Sequence, residues 1–161
     1  EAPYAAPIYP LIGAKIDFYD LPLPETPNHV LFGDSTYTWT SWGEVLSTNK
    51  ETEIWGKYVD DFYQGKPAIT FYHLGKGTVT YIGVDSREGK MEKEILRKLY
   101  SLLSIPLENL PDGLNIEYRD GFGIAVNYGD KTCTLPLPNK VKYLIGGKTI
   151  PTAGVSVWVE D

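Results

Sequence analysis

Residues Tyr63 to Gly83 read YQGKPAITFYHLGKGTVTYIG, two apolar runs on either side of Gly75-Lys76-Gly77. Glycines at that turn can supply the positive φ that a tight strand reversal demands. With Leu74 opposite Gly77, Tyr72 faces Val79, Thr70 faces Tyr81 and Ile69 faces Ile82. Apolar groups then fall on both faces, as in strands that are covered on both sides. The hairpin is therefore expected inside a sheet, with layers above and below.

The flanking segments build on this. Six of the twelve prolines lie in the first 28 residues and deny that stretch a long helix. Ile12, Ala14, Ile16 and Phe18 alternate with small or polar residues and predict a short strand. His29 to Phe32 reads as another strand, and Glu53 to Phe62 as a longer one. Asp85 to Leu103 predicts a helix, with capping-box-like spacing of Asp85 and Glu88 and an apolar stripe of Met91, Ile95, Leu99, Leu102 and Leu103. Strands feeding a helix that packs back on the sheet make this an α/β domain over residues 1–106. After Pro111 the period changes to two. Alternating runs around Leu114 to Tyr118, Phe122 to Tyr128, Thr132 to Leu135, Val141 to Ile145 and Val155 to Val159 predict a small antiparallel all-β domain over residues 107–161. A unit of that size is marginal alone and is expected to dock on its neighbour.

Composition excludes several classes. The net charge of -6, with scattered Lys and Arg, leaves no cationic patch for nucleic acid. No apolar run approaches the roughly 20 residues of a membrane-spanning helix. The single cysteine, Cys133, cannot form an intrachain disulfide; it reads as a small buried hydrophobe and suits a cytoplasmic protein. The chain begins at Glu1 with neither an initiator Met nor a signal peptide, which reads as a processed or excised piece.

Candidate chemistry is sparse. Asp60 and Asp61 are adjacent on an expected strand, so their side chains point apart. Glu51 and Glu53 could share a face, but they sit in a polar strand entry where solvated charges belong. His29 and His73 lack neighbours at metal-site spacing. Gly75-Lys76-Gly77-Thr78 is followed by a strand, whereas a phosphate loop needs a helix there. No catalytic, cofactor-binding or metal-binding residue is assigned. What remains is an aromatic group, Trp39, Trp42, Trp55 and Tyr63 with Tyr37 and Tyr58. Such side chains build cores and protein interfaces, or stack on sugars.

The order Trp42-Gly43-Glu44, then Tyr63-Gln64-Gly65-Lys66-Pro67-Ala68, then Gly75-Lys76-Gly77 and Tyr81-Ile82-Gly83 resembles the β-galactosidases of glycoside hydrolase family 42. Gly113 to Arg119 and Ala125 to Asn127 are similar to the opening strands of that family's small C-terminal domain. The resemblance covers essentially the whole chain. It implies a parent enzyme with a catalytic (β/α)8 barrel, a flavodoxin- or glutamine-amidotransferase-like trimerisation domain and a C-terminal β domain. The first domain here would then be an incomplete version of that α/β fold, lacking its early strands. The family's two catalytic glutamates lie on the barrel, and no position here matches them. Cys133 lies outside the α/β region, so an amidotransferase-type nucleophile is not supported.

The resulting expectation is a non-catalytic oligomerisation and accessory region of a β-galactosidase. It would associate as a homo-oligomer, a trimer in the parent, and dock on its own barrel. A carbohydrate-binding module using the aromatic group is the alternative. A sheet lacking strands would also expose an edge and an apolar face, both of which promote association.

Overall fold

The computed structural model describes residues 6–23, 25–137 and 141–159. Pro3 and Pro24 of the proline-rich start lie outside them. The chain divides into two compact units, Glu1–Ile105 and Pro106–Asp161.

In unit 1 a 3-10 turn at Ala6–Ile8 leads into a one-turn helix, α1 (Tyr9–Ile12), closed by Gly13 in the left-handed region at φ 63. Seven strands follow: β1 (Ala14–Asp20), β2 (Asn28–Phe32), β3 (Ser35–Trp39), β4 (Gly43–Thr48), β5 (Glu53–Tyr58), β6 (Pro67–Leu74) and β7 (Gly77–Ile82). One longer helix, α2 (Lys90–Leu102), ends the unit. Five strands form a sheet in the order β3-β2-β5-β6-β7, and β1 pairs with β4 as a separate ribbon. A bridge between Gly43 and Val84 joins the start of β4 to the segment after β7.

Every strand pair in this unit is antiparallel. The expectation of a flavodoxin-like α/β domain, complete or not, is therefore wrong. An α/β sheet needs parallel strands joined by crossover helices. Here short reversals join strand to strand, and α2 is the only helix longer than one turn among the described residues. Apolar groups on both faces predicted a hairpin internal to its sheet; β6 is internal and buried along most of its length, whereas β7 lies at an edge and is only partly covered. The hairpin itself keeps the expected register, Ile69 to Ile82, Thr70 to Tyr81, Tyr72 to Val79 and Leu74 to Gly77.

Helix α2 contributes Met91 and Ile95 to a core shared with Val30, Phe32, Tyr58, Ile69 and Val84. Its start also departs from expectation. Asp85 accepts a hydrogen bond from the Trp42 amide instead of capping the helix. Gly89 stands at the N-cap of α2, and the Ser86 Oγ four residues before the helix accepts from the Met91 amide at 3.0 Å, while Glu92 accepts from the Ser86 amide and hydroxyl. The stripe fades along the helix: Leu99 is half-buried, and Leu102 and Leu103 are exposed.

Unit 2 is antiparallel β, with β8 (Leu114–Arg119), β9 (Phe122–Asn127), β10 (Cys133–Thr134), β11 (Lys142–Ile145), β12 (Thr149–Ile150) and β13 (Val155–Val159). Four strands are ordered β11-β13-β9-β8, and β10 pairs with β12. Asp120 and Gly121, at φ 52 and 80, make the tight reversal between β8 and β9. Leu114, Ala125, Leu135, Ile150 and Trp158 form the core. Gly123 stands opposite Trp158, and a Cβ there would lie 2.1 Å from the indole, so the strand glycine makes room for the ring.

Candidate functional site

The four aromatic residues singled out from the sequence do not form one platform. Trp39 ends β3 and Tyr63 precedes β6; both are only 1% exposed. They flank Tyr58, with Trp39 edge-on at 5.6 Å and Tyr63 edge-on at 5.0 Å. Tyr63 also anchors a polar network, donating to Asp20 Oδ2 at 2.6 Å and accepting from Asn28 Nδ2 at 2.8 Å. Burial and the Asp20 bond push its phenol well above the ordinary value, and burial does the same to Tyr58. Trp55, on β5, stacks on Phe71 at 4.4 Å, and the Lys98 ammonium of α2 lies 3.9 Å above it. Trp42, half-buried before β4, stacks on Tyr19 at 4.7 Å.

The exposed aromatic surface lies elsewhere. Phe62 is 81% exposed and stacks on Phe18 of β1 at 5.7 Å. Tyr19, Leu21 and Leu23 next along the chain are exposed as well. A register shift between Ile16 and Phe18 explains why sequence alternation missed this. Ala14 and Ile16 point inward as the pattern predicts, although Ile12 is buried at the end of α1 and not on the strand, and the bulge then turns Phe18 out of the core. β1 pairs with β4 alone among the described strands, so its other edge is open beside this patch. A second apolar surface runs along α2, where Leu96, Tyr100 and Leu103 are exposed at helical spacing.

His29, Asp60, Asp61 and Glu53 have structural partners, and the His73 ring meets Phe71 edge-on at 5.1 Å. His29 Nδ1 lies 2.7 Å from Asp60 Oδ2, which also accepts from the His29 amide. Asp61 accepts from the Phe62 amide, and Glu53 from the Trp55 indole at 3.3 Å. Among the described residues no three His, Cys, Asp or Glu side chains gather to hold a metal ion. Cys133 is half-buried beside the Ile150 carbonyl. No described helix is long and apolar enough to cross a membrane.

Two family models match in succession: "Beta-galactosidase trimerisation domain" over residues 1–110 and "Beta-galactosidase C-terminal domain" over residues 113–160. A β-galactosidase of Haloferax lucentense is 24% identical over 151 residues, which are 94% of this chain and 23% of that protein. One from a Geobacillus strain is 26% identical over 155 residues, 90% of this chain and 22% of that protein. Among solved structures, a β-galactosidase of Halorubrum lacusprofundi superimposes on 99% of the chain with a TM-score of 0.82 at 25% identity, over 24% of its own length. That of Rahnella sp. R3 gives 0.84 at 23% identity, also over 99% of this chain and 26% of its own, which speaks for the fold alone. The chain thus spans about a quarter of the length of these relatives. With the two models meeting near residue 111, the chain belongs to the trimerisation-domain family of the glycoside hydrolase family 42 β-galactosidases, continued by those enzymes' C-terminal domain.

Proposed function

We propose that this chain is the self-association and accessory region of a β-galactosidase. Hydrolysis of terminal β-galactosides, with retention, belongs in this reading to a (β/α)8 barrel outside these residues. The two domains hold that barrel in a homotrimer, in the cytoplasm, with neither nucleic acid nor membrane as a partner. The observation that carries the reading is the succession of the two family matches over the chain. The stacked, exposed Phe18–Phe62 pair beside the open edge of β1 supports it physically, since such surfaces promote association.

The test has two parts. Sedimentation equilibrium of the chain should return a mass three times that of one copy, and a strictly monomeric mass at high concentration would count against self-association. A chromogenic galactoside should stay uncleaved above the buffer rate; clear turnover by this chain would overturn the assignment of catalysis to another domain.

A further inference from the structure

A cavity of about 440 Å³ opens on unit 1 where the start of β5 and the end of β6 meet the second half of α2. Trp55, stacked on Phe71, forms one side, and Leu99, Leu102 and Leu103 form the other. Two cations stand in this apolar lining, Lys76 of the β6–β7 turn and Lys98 of α2. Both are exposed, and neither is paired with a carboxylate among the described residues. Lys98 is held 3.9 Å over the Trp55 ring, so its charge has a fixed place beside the cavity. The one carboxylate in the lining, Glu53, already accepts from the Trp55 indole.

A matching shape stands at the other end of the same two strands. The chain turns between Asp61 and Gln64, whose amide donates to the Asp61 carbonyl at 3.0 Å. Asp61 lies in the left-handed region at φ 67, and its Oδ1 accepts from the Phe62 amide. Phe62 is thereby held at the corner of a tight turn, 81% exposed, next to an exposed carboxylate. β5 leads from the cavity at Glu53 to Tyr58 just before this turn, a run of roughly 17 Å. With its ring stacked on Phe18, Phe62 cannot fill the cavity of its own copy.

We propose that the Asp61–Phe62 corner of one copy seats in this cavity of the next, its ring among the leucines and its carboxylate toward Lys76 and Lys98. This contact rests on the reading of unit 1 as a self-association domain and names the surfaces that carry it. A cavity of about 150 Å³ accepts a benzene ring, so the space suffices for a phenyl group and a carboxylate. Opposite charges fix the register of the contact, whereas a corner meeting a corner would set carboxylate against carboxylate. Because the two surfaces differ, copies join head to tail, the arrangement that closes into rings.

Charge exchange on the intact chain tests the contact. Asp61→Lys, and Lys76→Glu together with Lys98→Glu, alter exposed positions and should leave the chain folded by urea unfolding. In sedimentation equilibrium each change should weaken association at least about tenfold, and the chain carrying all three should return to within about threefold of the wild type. Incorporated 5-fluorotryptophan gives a reading that needs no charge change. The Trp55 resonance, identified by Trp55→Phe, should shift between dilute and concentrated protein, and in Phe62→Ser it should keep its dilute position throughout. If the wild type associates but the exchanged chain is as weak as the separate changes combined, or the Trp55 resonance stays still, this contact is overturned while self-association stands. A wild type that stays monomeric at high concentration overturns both.

Discussion

Asn127 makes four hydrogen bonds in the interior of unit 2, where it is 1% exposed. Its Nδ2 donates toward the carbonyls of Lys131, Ile150 and Pro151 at 2.8 to 3.1 Å, and its Oδ1 accepts from the Gly129 amide. One side chain thus ties the end of β9 to two other segments. Nothing in the local alternation marks it, because a polar residue on a strand ordinarily faces water. Asn127→Asp would replace the donor with a carboxylate facing three carbonyl oxygens, and should cost more than about 3 kcal/mol by urea unfolding. The buried phenols make a second residue-scale prediction. Tyr58 and Tyr63 have pKa values raised by burial, so their neutral form belongs to the fold. Their contribution is complete below the unfolded phenol pKa of about 10 and is lost as pH rises above it, because the unfolded chain then ionises first. Stability should therefore fall from about pH 10 upward, and Tyr63→Phe should flatten that slope in urea titrations at pH 8 and pH 11. A place in a core was among the readings the sequence offered for Tyr63; its hydrogen bonds were not, since the Asp20 and Asn28 partners are 43 and 35 residues away in sequence.

Among elements, the β6–β7 hairpin and α2 were the most legible, because each rests on short-range spacing. The hairpin register follows from one glycine turn, and α2 follows from a 3.6-residue stripe. What local pattern could not supply was how strands further apart pair. β2 sits between β3 and β5, and β4 leaves the sheet to pair with β1, a choice made by long-range burial. The error of an α/β domain came from that gap. Helix α2 shows the same limit within one element, since its stripe is buried at Met91 and Ile95 but surfaces at Leu102 and Leu103. The two ends should answer differently to truncation. Ile95→Ala leaves a void among Val30, Phe32 and Tyr58 and should cost about 2–5 kcal/mol. Leu103→Ser, 56% exposed in the wild type, should change stability by no more than about 0.5 kcal/mol. A shared urea series would show whether the helix is held mainly by its first half.

At the scale of the whole molecule, a trimer imposes a geometric condition. Three identical copies in a closed ring meet through a heterologous interface, in which one surface of each copy contacts a different surface of the next. Unit 1 has two apolar surfaces suited to that: the Phe18–Phe62 patch beside the open edge of β1, and the Leu96, Tyr100 and Leu103 stripe of α2. The exposed edge expected from the sequence was that of an α/β sheet lacking its early strands, a fold that this antiparallel unit does not have. Phe62→Asp and Leu96→Asp change exposed positions, so each should leave folding nearly intact and, if the chain forms the proposed trimer, abolish it by itself. Mixing the two variants then separates the possible arrangements. If the patch meets the stripe, each variant keeps the surface that its partner lacks, so the mixture should form a species of two chains that cannot close. If the patch meets only itself, Leu96→Asp should associate normally and the mixture should contain no new species. Sedimentation of the single variants and of the mixture, at one total concentration, distinguishes these outcomes.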